Sequence, residues 1–245
     1  MIRTIASREF RALFASPLAW IILAILQAIL AWIFLARLDA FLGVQAQLQR
    51  YANPPGATEW IAAPLFSAAA MIFLMITPLF TMRLIAEERR NQTLPLLFSA
   101  PVTPLEIVLG KYLGLMGFLL SAILLVTLMA LSLGLGGRID YGLLAANVSG
   151  LVLVSSAYGA LGLYVSCLTR QPILAGIGGV GALLGLWAAG YGTGKGANFF
   201  HAISPASHFE NFGQGVIDSG DAAYFLLFSL LFIALSAWRL EERES

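Results

Sequence analysis

Residues 82–111, with the sequence MRLIAEERRNQTLPLLFSAPVTPLEIVLGK, form a charged and proline-containing segment between two long apolar runs. A helix needs about 20 apolar residues to cross the hydrocarbon core of a bilayer, which is about 30 Å thick. The two flanking runs, residues 61–82 and 112–133, meet that length. Residues 83–111 are therefore predicted to connect two membrane spans and to lie at the membrane surface.

Apolar runs of the same kind make up most of the 245-residue chain. Hydrophobic residues account for 59% of it, charged residues for 11%, and mean hydropathy is +0.85. Soluble domains differ, because about a quarter of their residues are charged. The composition predicts an all-helical integral membrane protein, with one transmembrane domain over residues 1–245. Its six predicted spans cover about residues 18–36, 61–82, 112–133, 143–166, 172–191 and 222–238.

The distribution of Lys and Arg predicts the orientation of these spans. Ten of the 14 Lys and Arg residues fall on the side that holds both termini and residues 83–111, and four fall on the other side. Positively charged residues accumulate on the cytoplasmic side of membrane proteins. The sequence therefore predicts a multi-pass membrane protein with both termini in the cytoplasm. The connections 37–60 and 193–221 are then expected to face outward as loops.

Residues 1–17 are predicted to form an amphipathic helix that lies along the membrane surface. Phe10, Leu13 and Phe14 share an apolar face, because residues three and four apart are neighbours on a helix. Arg3 and Arg11 fall on another face, which suits an anionic lipid surface. The alternative is a charged flank without fixed structure. The residues expected at the interface are Arg3, Arg8, Phe10, Arg11 and Phe14.

Within residues 83–111, the pattern predicts three short helical pieces. Residues 86–90 continue the helix of the second span, and this helix ends at residues 91–93. Leu94, Leu97 and Phe98 then share one face of a short helix over residues 93–99, which presents apolar surface that needs a partner. That surface packs either against a second protein or against this protein's own membrane face.

The third piece begins with a capping box. Thr103 and Glu106 have the spacing at which each side chain bonds to the backbone amide of the other residue, and Pro104 suits the first helical position. This helix is expected to continue through Lys111 into the third span. In the first piece, Glu87, Glu88, Arg89 and Arg90 are expected either to tether the segment through ion pairs or to form a solvated helix end.

The chain resembles the ABC-2 type permeases, the membrane subunits of ATP-driven transporters, and is most similar to their gliding-motility-type branch. The resemblance covers nearly the whole chain, and its most specific part is residues 81–111. It is carried by Glu9-Phe10, Ser16-Pro17, Thr81-Met82-Arg83, Ala86-Glu87-Glu88-Arg89, Pro101, Ile107-Val108-Leu109-Gly110-Lys111 and the sequence SCLTRQ at 166–171.

The resemblance implies an exporter-type permease that holds no cofactor and performs no catalysis. ATP and Mg would bind to a separate ATPase subunit, present in two copies, whose groove receives the coupling helix. The coupling helix maps to Thr93, Leu94, Pro95, Leu96, Leu97, Phe98 and Ser99. The resemblance also implies a second permease subunit, identical or related, and admits an accessory periplasmic or membrane-anchored subunit. Gln92 and Pro95 depart from the family, which usually has Gly before the threonine and often an acid at the later position.

Three other functions are open to a six-span protein. An ion-coupled secondary transporter usually carries an ionisable group inside the membrane, and the six predicted spans have none. A membrane enzyme would have to use His201 and His208 with the acids Glu210, Asp218 and Asp221, whose spacing matches no metal-ligand pattern. A permease-like subunit of the gliding type would transmit the ATPase cycle to an envelope or motility assembly without transport.

Other sequence features bear on nucleotide binding, on the role of the cysteine and on the expected partners. Residues 189–196, AGYGTGKG, fail the phosphate-loop pattern at both ends, so nucleotide binding is assigned to another chain. Cys167 is the lone cysteine and is expected to be a buried apolar residue. No feature indicates nucleic-acid binding, and the partners expected are proteins and the lipid bilayer. Glycines at 176, 178, 179, 181 and 185 are expected to allow close helix packing, within the bundle or across a dimer.

Overall fold

The computed structural model describes residues 1–48, 56–92, 102–191 and 201–242, and every regular element among them is a helix. In chain order these are α1 (Ile2–Ala15), α2 (Pro17–Leu48), a π-helical turn (Thr58–Ala62), α3 (Ala63–Leu84), α4 (Ala86–Arg90), α5 (Pro104–Leu131), a 3₁₀ turn (Ser132–Leu135), α6 (Tyr141–Leu168), α7 (Pro172–Ala189), α8 (Pro205–Gly213) and α9 (Ser219–Glu242).

Among the described residues, six helical stretches are long and apolar enough to cross a membrane, which confirms the predicted all-helical, six-span fold. They cover Pro17–Gln45, Thr58–Arg90, Pro104–Leu135, Tyr141–Leu168, Pro172–Ala189 and Ser219–Glu242. We call the end of the bundle that holds α1, α4 and the last turn of α9 the terminal end. The end that holds α8 and the first turn of α9 is the opposite end.

The first span is longer than the sequence predicted. Helix α2 has 32 residues and ends at Leu48, so it is about 48 Å long and exceeds the thickness of the hydrocarbon core. The prediction of a loop from residue 37 onward was therefore wrong for residues 37–48. Arg37 and Asp39 end the apolar run, but neither residue breaks a helix, and no proline follows before Pro54.

The third span begins at the predicted capping box. The Thr103 hydroxyl accepts a hydrogen bond from the Glu106 amide at 3.3 Å, and the Thr103 amide donates to the Glu106 carboxylate at 3.1 Å. Pro104 occupies the first turn, and α5 then continues without interruption to Leu131. The predicted helix from residue 103 through Lys111 into the span is confirmed.

Helix α6 lies at the centre of the bundle and packs against α3 and α9 most extensively. Small residues let its neighbours approach closely. A Cβ placed on Gly162 would lie 2.4 Å from the Thr81 hydroxyl oxygen of α3, and one on Gly150 would lie 2.6 Å from Cβ of Phe212. The core is therefore assembled around α6, with α1 and α8 packed at its two ends.

At the opposite end, part of the predicted loop 193–221 is a helix. Helix α8 begins at Ser204, whose hydroxyl accepts a hydrogen bond from the Ala206 amide at 3.2 Å, with Pro205 in its first turn. Phe209 and Phe212 are buried, which holds α8 against the bundle. The Ser-Pro pair is a helix start signal in the sequence, and the loop prediction was wrong for residues 205–213.

Candidate functional site

The second span is interrupted at the terminal end, just before the segment that was predicted to meet a partner. Helix α3 ends at Leu84, Ile85 adopts a non-helical φ of −124°, and α4 begins at Ala86. The hydroxyl of Ser166 in α6 accepts hydrogen bonds from the Ile85 and Ala86 amides at 3.3 and 3.0 Å. It also donates to the Met82 carbonyl at 3.3 Å. One side chain thus satisfies the backbone groups released by the break and ties it to α6.

Helix α1 lies in a groove that glycines open along α5. A Cβ on Gly110 would lie 2.6 Å from Cβ of Ile5, and one on Gly114 would lie 2.6 Å from Cβ of Glu9. Gly117 faces the ring of Phe10 in the same way. Real Cβ atoms do not approach so closely, so any side chain at these three glycines would push α1 away from the third span.

Lys111 joins three elements at this groove. Its ammonium lies 2.8 Å from a carboxylate oxygen of Glu9 in α1 and 2.7 Å from one of Glu88 in α4. The Lys111 side chain is only 2% exposed, while Glu9 and Glu88 are 16% and 19% exposed. We call these three residues the lysine cluster. A buried charge is tolerated only when it is paired, so the cluster fixes α1, α4 and α5 relative to one another.

The other charged residues of α4 lie in different surroundings. Arg89 donates a hydrogen bond to the carbonyl of Cys167, with 2.5 Å between nitrogen and oxygen, at the last turn of α6. Glu87 and Arg90 are exposed. Helix α4 is therefore attached to α5 through Glu88 and to α6 through Arg89, while its outer face stays open.

An aromatic group anchors the turn between α1 and α2. The Trp20 indole donates a hydrogen bond to the Phe14 carbonyl at 2.9 Å. The centroids of the Trp20 and Phe14 rings are 5.6 Å apart. Phe14 also packs against Phe10 and Phe118, with centroids 4.8 and 5.3 Å apart. Phe14 thus packs against the bundle, and Phe10 contacts it while remaining partly exposed. The predicted interface cations Arg3, Arg8 and Arg11 are exposed.

The predicted partner-binding helix falls outside the described residues. Thr93 through Ser99, with Leu94, Leu97 and Phe98 among them, belongs to the undescribed stretch 93–101. The structure describes both of its flanks. Asn91 and Gln92 form a turn after α4, in which Gln92 has a positive φ of 56°, and Thr103 and Glu106 cap α5. Met1 places its amino group 3.7 Å from the Glu106 carboxylate.

At the opposite end, His208 is held in a second polar cluster. Its ring nitrogens lie 2.6 Å from an Asp221 carboxylate oxygen and 3.1 Å from the Ala202 carbonyl. The Asn211 amide donates to the other Asp221 oxygen at 2.7 Å, and the Tyr224 ring stacks on the imidazole. We call His208, Asn211 and Asp221 the histidine cluster. In the part of the chain that the structure describes, no group of His, Cys, Asp and Glu residues could hold a metal ion.

Sequence reasoning missed the two residues that complete the lysine cluster. Lys111 and Glu9 were among the residues that carry the family resemblance, but neither was assigned a role. The predicted third span began at Tyr112. As predicted, the helix that continues into the third span includes Lys111, although residues 112–133, which were assigned to the span, carry no ionisable group. The spacing of Gly110, Gly114 and Gly117 by four and three residues was a usable signal, because it places three small residues on one helix face.

Residues 3–245 match the model of a family described as ABC-2 family transporter protein. No curated protein matches the chain. The family match spans nearly all of the sequence and agrees with the six apolar helices of the bundle. The chain therefore belongs to the ABC-2 family of transporter proteins.

Proposed function

We propose that this chain is the membrane-spanning subunit of an ATP-driven exporter and that its terminal end faces the cytoplasm of a bacterial inner membrane. ABC-2 permeases generally work with a separate ABC ATPase and are themselves non-catalytic. The observation that carries the proposal is the lysine cluster. It joins α1 and α5 to α4, the helix that leads into residues 93–99.

The proposed coupling path starts at residues 93–99. Leu94, Leu97 and Phe98 would seat this segment in a groove of the ATPase subunit, which binds ATP and Mg. Movement of the segment would pull on α4, and Glu88 would pass the displacement to Lys111 in α5 and through it to Glu9 in α1. Because separating a buried ion pair leaves a charge without its partner, the three helices would move together.

Helix α7 supports a pairing with a second permease subunit, identical or related. Gly176 and Gly179 face α3, where an added Cβ would lie 2.9 Å from Met82 and 3.2 Å from Pro78. Gly181 and Gly185, in contrast, have no heavy atom within 4 Å of such a Cβ. The second pair of glycines therefore leaves a flat face on which a neighbouring helix can pack closely.

The test of the proposed function is purification of the chain from its native membrane in mild detergent. We expect an ATPase to co-purify in equal stoichiometry, in a complex of two permease and two ATPase subunits. Leu97→Glu should leave the chain in the membrane but remove the ATPase, because its carboxylate would have to be desolvated in an apolar groove. Leu97→Met, which keeps the apolar volume, is the matched control. A stable chain without an ATPase would overturn the proposal.

The same purification addresses a second candidate function. The resemblance of residues 81–111 and of Glu9-Phe10 to the gliding-motility-type branch favours a subunit that transmits the ATPase cycle to an envelope assembly. An accessory periplasmic or membrane-anchored subunit in the purified complex, together with no cargo movement in vesicles, would favour that role over export.

A further inference from the structure

A pocket of about 540 Å³ lies beside the lysine cluster at the terminal end. Its walls come from α1, the beginning of α2, the ends of α3 and α4, and Lys111 of α5. Leu18 and Phe80, which belong to the first two spans, form part of its apolar side. Arg8, Arg83 and Glu87 supply charged groups on its other side. The pocket thus combines apolar and charged walls where two spans leave the bilayer.

The depth of the pocket corresponds to the lipid headgroup region. Ser16, at the bend between α1 and α2, is one of its lining residues. The hydrogen bond from Trp20 to the Phe14 carbonyl lies at the same bend, and tryptophan side chains concentrate at the interface between membrane and water. A molecule in the pocket would therefore meet water, headgroups and the ends of acyl chains.

The charges in the pocket are of both signs, and they differ in how they are paired among the described residues. Lys111 binds both Glu9 and Glu88. The exposed side chains of Arg8, Arg83 and Glu87 make no ion pair or hydrogen bond with the residues that the structure describes. The Arg83 guanidinium and the Glu87 carboxylate are thus available to a ligand beside the apolar walls. The Arg8 guanidinium is attracted to the Glu88 carboxylate without a direct ion pair, so it too can bind a ligand.

We propose that this pocket binds the headgroup of phosphatidylethanolamine from the leaflet at the terminal end. The lipid phosphate would bind Arg8 and Arg83, since guanidinium groups form strong paired hydrogen bonds with phosphate oxygens. Its primary ammonium would donate hydrogen bonds to Glu87, and its acyl chains would pass along Leu18 and Phe80. The lipid would in this way fill the space between α1 and the second span.

The arrangement of charges in the pocket favours the phosphatidylethanolamine headgroup over those of phosphatidylcholine and phosphatidylglycerol. The quaternary ammonium of phosphatidylcholine has no proton to donate to Glu87. Phosphatidylglycerol has no cation at all, so the Glu87 carboxylate would face an anionic lipid without compensation. Only a headgroup with a phosphate and a protonated amine satisfies both the guanidinium groups and the carboxylate.

The test is native mass spectrometry of the purified full-length chain, titrated in detergent with phosphatidylethanolamine, phosphatidylcholine or phosphatidylglycerol of the same acyl composition. We expect the ethanolamine lipid to bind about tenfold more tightly than the choline lipid, which corresponds to the loss of one charge-assisted hydrogen bond. Equal binding of all three lipids would show a non-specific lipid shell and would overturn the proposal.

Three variants locate the binding in this pocket. Arg83→Gln should weaken the ethanolamine lipid about tenfold, and Glu87→Gln should remove the preference for it over the choline lipid. Arg170 is an exposed residue of the loop between α6 and α7 and does not line the pocket. Its substitution Arg170→Gln should change neither the binding of the ethanolamine lipid nor the preference for it. Preserved binding and preference in both pocket variants would contradict the proposal.

This assay needs no ATPase, so its outcome is independent of the proposed function. The rival occupant of the pocket is a segment of the ATPase subunit itself. If the purified complex with the ATPase retains the ethanolamine lipid, the proposal is supported. If the lipid binds the isolated chain but is wholly lost from the complex, the pocket belongs to the ATPase interface and the proposal fails.

Discussion

The lysine cluster and the histidine cluster lie at the two ends of the bundle, and both join a carboxylate to a nitrogen base, yet they connect different kinds of structure. Lys111 lies 102 residues from Glu9 and 23 residues from Glu88, and the three residues belong to three separate helices. Asp221 lies only 13 residues from His208 and 10 from Asn211, in the consecutive helices α8 and α9. The first cluster connects helices that are far apart in the sequence, and the second connects two consecutive helices.

The bases differ as well. A lysine ammonium is compact and fully charged at neutral pH, and it can serve two carboxylates at once. The His208 ring contacts a single carboxylate and a backbone carbonyl, and its side chain is 22% exposed, against 2% for Lys111. Tyr224 adds ring stacking at 4.0 Å between centroids. Removing a charge should therefore cost more at the lysine cluster than at the histidine cluster.

The largest effect is expected from Lys111→Met. The substitution removes the ammonium that binds both Glu9 and Glu88, and breaking a buried ion pair in this way costs about 3 to 5 kcal/mol. Thermal unfolding of the purified chain in detergent measures the loss. Because Lys111 links α1 to α4, the variant should also reduce stimulation of the bound ATPase.

The control for this prediction is the triple variant Lys111→Met, Glu9→Gln, Glu88→Gln. It removes all three charges, so most of the stability lost in the single variant should return. A triple variant as unstable as Lys111→Met would show that the loss does not come from the two carboxylates left without the lysine ammonium.

A smaller loss is expected from Gly114→Ala, which tests the seat of α1 beside the lysine cluster. The new Cβ would lie 2.6 Å from Cβ of Glu9 and 3.0 Å from the Ala6 carbonyl oxygen, and such overpacking costs about 1 to 3 kcal/mol. Gly43→Ala is the matched control, because nothing lies within 4 Å of that position. In the control, alanine should slightly stabilise α2. An equal effect of both changes on the unfolding midpoint would argue against the glycine groove.

At the opposite end, Asp221→Asn should cost less than either change at the terminal end. The carboxylate loses its charge, and the amide that replaces it can no longer accept from both His208 and Asn211, which costs about 1 to 2 kcal/mol. Unfolding midpoints measure the loss, with Glu210→Gln, an exposed acid of α8, as the neutral control. A loss as large as that of Lys111→Met would mean that the histidine cluster contributes as much to stability as the lysine cluster.

The sequence revealed the parts of the fold that depend on local patterns. Six spans follow from apolar length, and the Thr103–Glu106 capping box follows from a four-residue motif. The end of α2 was misplaced because charged residues stop an apolar run without stopping a helix. The same bias placed the start of the third span at Tyr112, although the capping box correctly predicted a helix that begins at Pro104 and includes Lys111.

The lysine cluster could not be deduced from the sequence in the same way. Glu9 and Lys111 lie in regions whose local patterns say nothing about each other, and only the packing of α1 into the glycine groove of α5 brings them together. Ser166 is a similar case, because a serine at the end of a span shows no sign that it will satisfy a helix break in another span. Long-range polar contacts of this kind depend on the whole fold.

The smallest expected effect concerns the turn that links the lysine cluster to residues 93–99. Gln92 has a φ of 56°, a left-handed conformation that costs a residue with a Cβ about 1 kcal/mol more than glycine. The family that the chain resembles usually has glycine at this position. Gln92→Gly should therefore stabilise the chain by up to about 1 kcal/mol, as a rise in the unfolding midpoint, because glycine adopts this φ without strain. Gln92→Ala keeps the Cβ and should give no such rise. If glycine and alanine have the same effect, the strain at Gln92 does not contribute to stability, and the glutamine side chain itself must matter for the turn.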